Sequence, residues 1–165
     1  MGVSILKSAL TGRVVAIVTT SEAGTPLRSV AEATLESGKG LVGDRYYKHG
    51  GTFSEQLKES GDWELTLIES EEIHRFNDSH GLSLPPGSFR RNIITSGVSL
   101  NELVGQRFSV GSALLEGMRL CEPCAHLGKL IGSAVVKGMV HRAGLRARII
   151  TSATVHVGSQ IKLHQ

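Results

Sequence analysis

The chain has 165 residues, 40% of them apolar and 20% charged, which suits one domain (1–165) with one real core. Its 18 basic residues exceed its 15 acidic ones by three, too small an excess to call for nucleic acid. No apolar run approaches the ~20 residues of a membrane span, the stretch 1–10 carries no long apolar region or clear cleavage site, and two cysteines need no disulfide framework, so the expected location is the cytoplasm, with thiols reduced.

Residues 12–20 are β-branched and apolar between Gly12 and a Ser-Glu-Ala-Gly-Thr-Pro turn, which predicts a buried strand. Pro26-Leu27-Arg28-Ser29-Val30 follows, then a weaker strand near 31–35. Gly38, Gly40 and Gly43 lead into Asp44-Arg45-Tyr46-Tyr47, whose composition suggests a shaped loop. From 48 to 62 apolar residues nearly vanish, and the expectation is a mobile surface loop. Residues 63–68 read as a strand. Ser70 is then placed to cap a short helix with Glu71 and Glu72 in its first turn, Ile73 and Phe76 on one face, and Gly81 as its stop.

Residues 84–94 form a Pro-Gly loop feeding a strand at Arg90, Arg91 and Asn92. That trio could grip an anion bidentately, but without a third element the expectation is that the arginines face water. Residues 101–104 read as one helical turn. Residues 107–110 and 113–120 read as a β-hairpin about Gly111-Ser112, because Gly at the first of two central positions suits a type II′ turn. Residues 146–151 are a strand, and 155–163 end the chain as a turn plus strand. About eight short strands with few helices imply a mainly β protein, barrel-like or a twisted sandwich.

Both cysteines fall in Arg119-Leu120-Cys121-Glu122-Pro123-Cys124-Ala125-His126-Leu127. Pro123 shapes the approach to Cys124, and Leu127, Leu130, Ile131 and Val135 continue at helical spacing, weakened by Gly128 and Gly132. A thiol at a helix start near Arg119, His126 and Lys129 is in the setting where cysteine acts as nucleophile or metal ligand. The alternatives are two inert core cysteines, a zinc half-site of Cys121, Cys124 and His126 with no second Cys-x-x-Cys and His141 as the nearest other imidazole, or a redox pair. A Cys124–His126 or Cys124–His141 pair is also open, since such partners meet in space.

Taken in order, Gly43-Asp44-Arg45, Pro86-Gly87 with Phe89-Arg90-Arg91-Asn92-Ile93, Leu103-Val104-Gly105 with Val110-Gly111, Pro123-Cys124, Arg142-Ala143-Gly144-Leu145-Arg146-Ala147 and Gly158-Ser159-Gln160-Ile161 resemble a MOSC domain. That domain ends molybdenum cofactor sulfurases and also occurs as stand-alone bacterial proteins. The resemblance implies a strand-rich barrel, a cytoplasmic protein, and molybdenum cofactor (molybdopterin) as the bound group. It implies that the catalytic cysteine, matching Cys124, ligates molybdenum or carries sulfur. By likeness to the family's amidoxime-reducing members, Arg28, Ser29, Arg45, Arg90 and Asn92 are the implied cofactor-binding residues and N-hydroxylated compounds the implied substrates, reduced with an electron-donor protein as partner. The alternative is a non-catalytic carrier, either of persulfide sulfur received from a cysteine desulfurase or of the cofactor itself. Here Arg28 stands where those reductases have lysine and Tyr46 where histidine is usual, and Asp62-Trp63 replace an Arg-Gln pair.

Overall fold

The computed structural model describes residues 11–164; the reading of 1–10 lies outside them. Seventeen short elements follow one another. They begin with β1 (Gly12–Thr19), β2 (Arg28–Val30), β3 (Glu32–Glu36), β4 (Gly40–Leu41), α1 (Ser54–Leu57), β5 (Leu65–Glu69), α2 (Ser70–His80), a 3-10 turn (Pro86–Phe89), β6 (Ile93–Ser96) and a second 3-10 turn (Leu100–Leu103). The chain continues with β7 (Arg107–Val110), β8 (Ala113–Leu120), α3 (Ala125–Ile131), α4 (Ala134–Gly138), β9 (Leu145–Thr151), β10 (Ala153–His156) and β11 (Gln160–Leu163).

The main sheet runs β11-β7-β8-β9-β5-β6-β1 and closes through β11 against β1, giving a seven-stranded barrel. Only β5 and β6 are parallel. Closure leaves no edge along the ring. One edge of β1 is shared: β11 pairs with Gly12 and Arg13, whereas β2 pairs with Ile17, Val18 and Thr19. The sheet β10-β3-β4 is antiparallel, and its Ala33, Leu35, Leu41 and Val155 join the barrel core.

Alternation of side chains along the strands divides the apolar residues between two cores. Leu65, Leu67 and Ile93 belong to the core inside the barrel. Their neighbours Ile68 and Ile94 face outward and pack with Ile73 and Phe76 of α2, Phe89, and Leu127, Val135 and Met139 of the α3–α4 region. In β1 both Val14 and Ile17 point inward, which plain alternation forbids; the register shift between Val14 and Ala16 inverts the parity.

The strand, hairpin and α2 expectations hold, and β2 and β4 are too short for a pattern to reveal. The hairpin pairs Val110 with Ala113. Three expectations need correction. The N-cap position of α2 is Glu69, and Ser70 instead hydrogen-bonds the Glu71 carboxylate. The helix expected after Cys124 is two, because Gly132 at φ 109° breaks the run. Residues 48–62 are folded against the barrel: Ser54, Leu57 and Asp62 are buried. The Tyr46 hydroxyl accepts from Phe53 N–H and Ser54 Oγ from Gly51 N–H. Few apolar residues were visible there because the segment uses nearly all it has, Phe53 and Leu57, in contact with the cleft described below.

Glu69 gives the fold a pH dependence. Burial, reinforced by the Glu72 and Glu71 charges, raises its carboxyl from 4.5 to about 7 against the opposing Leu100 backbone hydrogen bond and Arg142. Between those values the folded state holds a proton that the unfolded chain has released, so stability falls as pH rises from about 4.5 to 7. Denaturant titrations at pH 5 and pH 8 are expected to differ by about 1–2 kcal/mol from this group, discounted for its partial exposure. Glu69→Gln should flatten the difference, and an unchanged pH dependence would refute the assignment.

Candidate functional site

The hairpin strand β8 carries the chain out of the barrel at Leu120 and into Cys121-Glu122-Pro123-Cys124. Cys121 is buried; its N–H donates to Gly144 O at 2.8 Å. Cys124 is half-buried and occupies the N-cap position of α3 in an extended conformation, so the thiol precedes the first turn rather than lying within it. Both cysteines are free and line one cleft.

Arg91 holds this loop in place. Its Nε donates to Ala143 O (2.9 Å), Nη1 to Phe89 O (3.2 Å), and Nη2 to Cys121 O (3.1 Å) and Glu122 O (3.4 Å). Four of its five N–H donors are thus committed to carbonyls. The expectation that it faces water is corrected: the partners that consume it come from the cysteine loop and the turn before β9. Glu122 in turn accepts from His141 N–H and meets the His141 ring at 2.9 Å, tying the 122 and 141 turns together.

The cleft, about 230 Å³, is lined by five arginines (45, 90, 91, 119 and 146), both cysteines, His126, and Phe53, Gln56 and Leu57 of the 48–62 segment. An adjoining groove of about 330 Å³, lined among others by Leu27, Ser29, Pro86 and Ile131, shares Arg90 as a common wall. Together they reach the size range of small-molecule sites.

Arg90 sits in the left-handed region, φ 61°, directly after the 3-10 turn, a backbone state that costs a non-glycine residue about 1–2 kcal/mol. Its Nη1 donates to Thr25 O at 2.7 Å, while Nη2 is buried with no partner. Burial and the adjacent Arg45 charge both push its pKa down, against weaker help from Tyr46 and Asp44. An anion in the cleft would satisfy the open donor and offset both the burial and the Arg45 charge. His126 Nε2 is the other buried side-chain atom without a partner among the described residues. Its ring is packed edge-on by Phe53 at 5.8 Å.

Arg45 is buried on Asp44, Nη1 to Oδ1 at 3.1 Å, with its guanidinium over the Tyr46 ring. Asp44 is the hub of this corner: its carboxylate also accepts from Thr19 Oγ1, Thr20 N–H, Tyr46 N–H and Asn92 Nδ2. Asn92 is buried; its other amide contacts go to Val18 O and Thr66 Oγ1. It braces Asp44 and β1 and is absent from the cleft lining. Ser29 is exposed and lines the adjoining groove; Arg28 is exposed on β2 and lines neither. Of the residues singled out in the sequence, the fold therefore brings together Cys124, Arg45 and Arg90, with Ser29 across the shared wall.

Arg119 and Arg146 are site members that the sequence did not single out as ligands, the 48–62 segment lines the cleft where a mobile loop was expected, and His126, weighed in the sequence as a partner of Cys124, lies in the same lining. Arg119 hydrogen-bonds Asp62 through Nε. Burial acts to raise the Asp62 pKa, but the Ser60 and Arg119 hydrogen bonds and the Arg119 and Arg146 charges outweigh it and hold the carboxyl below its ordinary value. Among the described residues no group of three or more His, Cys, Asp or Glu side chains could hold a metal ion. A metal at Cys124 would thus draw most of its ligands from a cofactor. Nor is any helix of the described residues long and apolar enough to cross a membrane.

A family model described as MOSC domain matches residues 27–162. Among solved structures, the YuaD protein of Bacillus subtilis is similar with a TM-score of 0.80 and 18% identity, covering 94% of this chain and 96% of that one. YiiM from Geobacillus stearothermophilus gives 0.69 and 14%, covering 93% of this chain and 75% of that one. YiiM from Escherichia coli gives 0.66 and 21%, covering 93% and 70%. At these identities the likenesses speak for the fold alone. No curated protein sequence matches the chain.

Proposed function

The chain belongs to the MOSC domain family, and from that premise we propose that it binds molybdenum cofactor in the arginine-lined cleft and reduces N-hydroxylated compounds there, with Cys124 as the protein's ligand to molybdenum. The observation that carries this reading is the buried, unpartnered Nη2 of Arg90 in the wall of the same cleft as Cys124. A cofactor ending in a phosphate dianion fits that donor, and a half-buried thiol fits a soft metal that brings its remaining ligands along. Asn92 does not fit as a direct partner, since its amide nitrogen is spent on Val18 and Asp44.

When bound, the cofactor supplies two-electron redox chemistry with removal of oxygen. Reduction of an N-hydroxylated base to the amine takes two electrons, from a donor protein, and two protons, and releases water. The chain's own contribution is position and protons. Arg91 fixes the carbonyls of Cys121 and Glu122 and so sets where Cys124 points. Phe53, Leu57 and Leu127 close the cleft with apolar surface. His126, which lines the cleft and whose Nε2 is buried and free of other partners, is the proton-transfer group of this reading.

The test is molybdenum and pterin content after purification from a cofactor-producing host. Near-stoichiometric amounts are expected in the wild type. Arg90→Asn, which tolerates the left-handed backbone but removes the charge, should lower occupancy about tenfold or more, the loss of one charge-assisted bond. Wild-type protein with neither metal nor pterin would defeat the reading and bring forward the carrier alternative.

A further inference from the structure

The five cleft arginines are not equivalent, and their donors can be accounted for one by one. Arg45 is buried on Asp44, Arg91 is spent on four carbonyls, and Arg119 is paired with Asp62. Arg90 keeps one nitrogen open. Arg146 alone has no side-chain hydrogen bond or ion pair among the described residues, so its whole fork is available, although it is half-buried in the cleft wall. The strand register explains its neighbours. Thr66 of β5 lies opposite Arg146 of β9, and Arg146 lies opposite Arg119 of β8. One rung across three strands therefore presents a threonine and two guanidinium groups to the same cleft, and like charges directly opposed on a sheet repel. Asp62 is ion-paired with Arg119 and meets Arg146 only through its charge, leaving the Arg146 donors without an acceptor.

From this, and resting on the function proposed above, we infer that the substrate carries an oxyanion of its own, a phosphate or a carboxylate, which Arg146 grips bidentately with Arg119 beside it. The cleft then has two anion stations: Arg90 for the cofactor's phosphate and Arg146 for the substrate. An uncharged N-hydroxylated compound would leave the Arg146 fork without a charged acceptor.

The experiment follows the arginine Nε–H resonances of the full chain by proton–nitrogen correlation NMR. Inorganic phosphate and, separately, acetate are titrated at an ionic strength held constant with chloride. A saturable shift of Arg146 is expected. Phosphate acting more strongly than acetate would mark a phosphate-bearing substrate, and the reverse a carboxylate. Arg146→Ala should weaken this site about tenfold or more, the loss of a charge-assisted fork. Arg146→Lys should recover part of it, as a point charge without the fork does. If Arg90 responds and Arg146 does not, the inference is overturned while the cofactor reading stands. If Arg146 responds and Arg90 does not, the inference holds and the cofactor reading loses its anchor. If neither responds, both fall.

Discussion

Cys124→Ala is expected to abolish molybdenum retention and reduce turnover of N-hydroxylated substrates about a thousandfold or more, an effect on the scale of removing a group that acts on the reacting centre. The fold should survive. Cys124 makes no side-chain cap to α3, is only half-buried, and lies at the margin of the outer core, so the stability change should stay within about 1 kcal/mol. Pterin can remain partly bound in the variant, because the Arg90 station does not depend on the thiol. Metal content, pterin content and denaturant midpoint measured side by side separate these effects. A variant that turns over normally would remove Cys124 from the chemistry. A wild-type protein that holds no cofactor but gains sulfur mass on Cys124 after incubation with a cysteine desulfurase would make it a persulfide carrier instead.

The second large effect is expected at Gly144. A Cβ at this position would lie 2.0 Å from Leu67 O in β5, and the backbone is at φ 115°. Leu67 is fully buried in a strand flanked on both sides within the closed ring, so neither chain can retreat without breaking a ladder. Gly144→Ala should cost about 3 kcal/mol or more, combining backbone strain with the clash. Gly158→Ala is the control: its φ is 94°, but the space around it is open, and about 1 kcal/mol is expected. Gly144 O also accepts the Cys121 N–H, and Ala143 O accepts from Arg91. Any folded Gly144→Ala protein should therefore lose cofactor as well as stability. Equal denaturant midpoints for the two variants would contradict the argument.

Much of the fold was legible because it is written in local periodicity. The β-branched run of β1, the Gly111-Ser112 hairpin and the apolar face of α2 depend on residues within one element or turn of each other. Sequence order also located Cys124 at a loop-to-helix junction and, with the dispersed Asp44-Arg45 and Phe89-Arg90-Arg91-Asn92 pieces, pointed to the family.

What the tertiary structure alone decided is which polar groups are already used. Arg90 and Arg91 are adjacent and identical in type, yet Arg91 spends four of its five donors on carbonyls up to 52 residues away while Arg90 keeps an orphaned, buried nitrogen. Asn92 looked like a ligand and is consumed by Val18 and Asp44, across the barrel wall. Arg146 entered only as part of the Arg142-to-Ala147 motif and not as a ligand, and only the pairing of β9 with β5 and β8 sets it against Thr66 and Arg119 on one rung. The 48–62 segment appeared too polar to fold, and it is the cleft that gives Phe53 and Leu57 a place to bury. Hydrogen-bond saturation and burial are properties of neighbours brought together by strand closure, whereas propensity and pattern are properties of the chain itself.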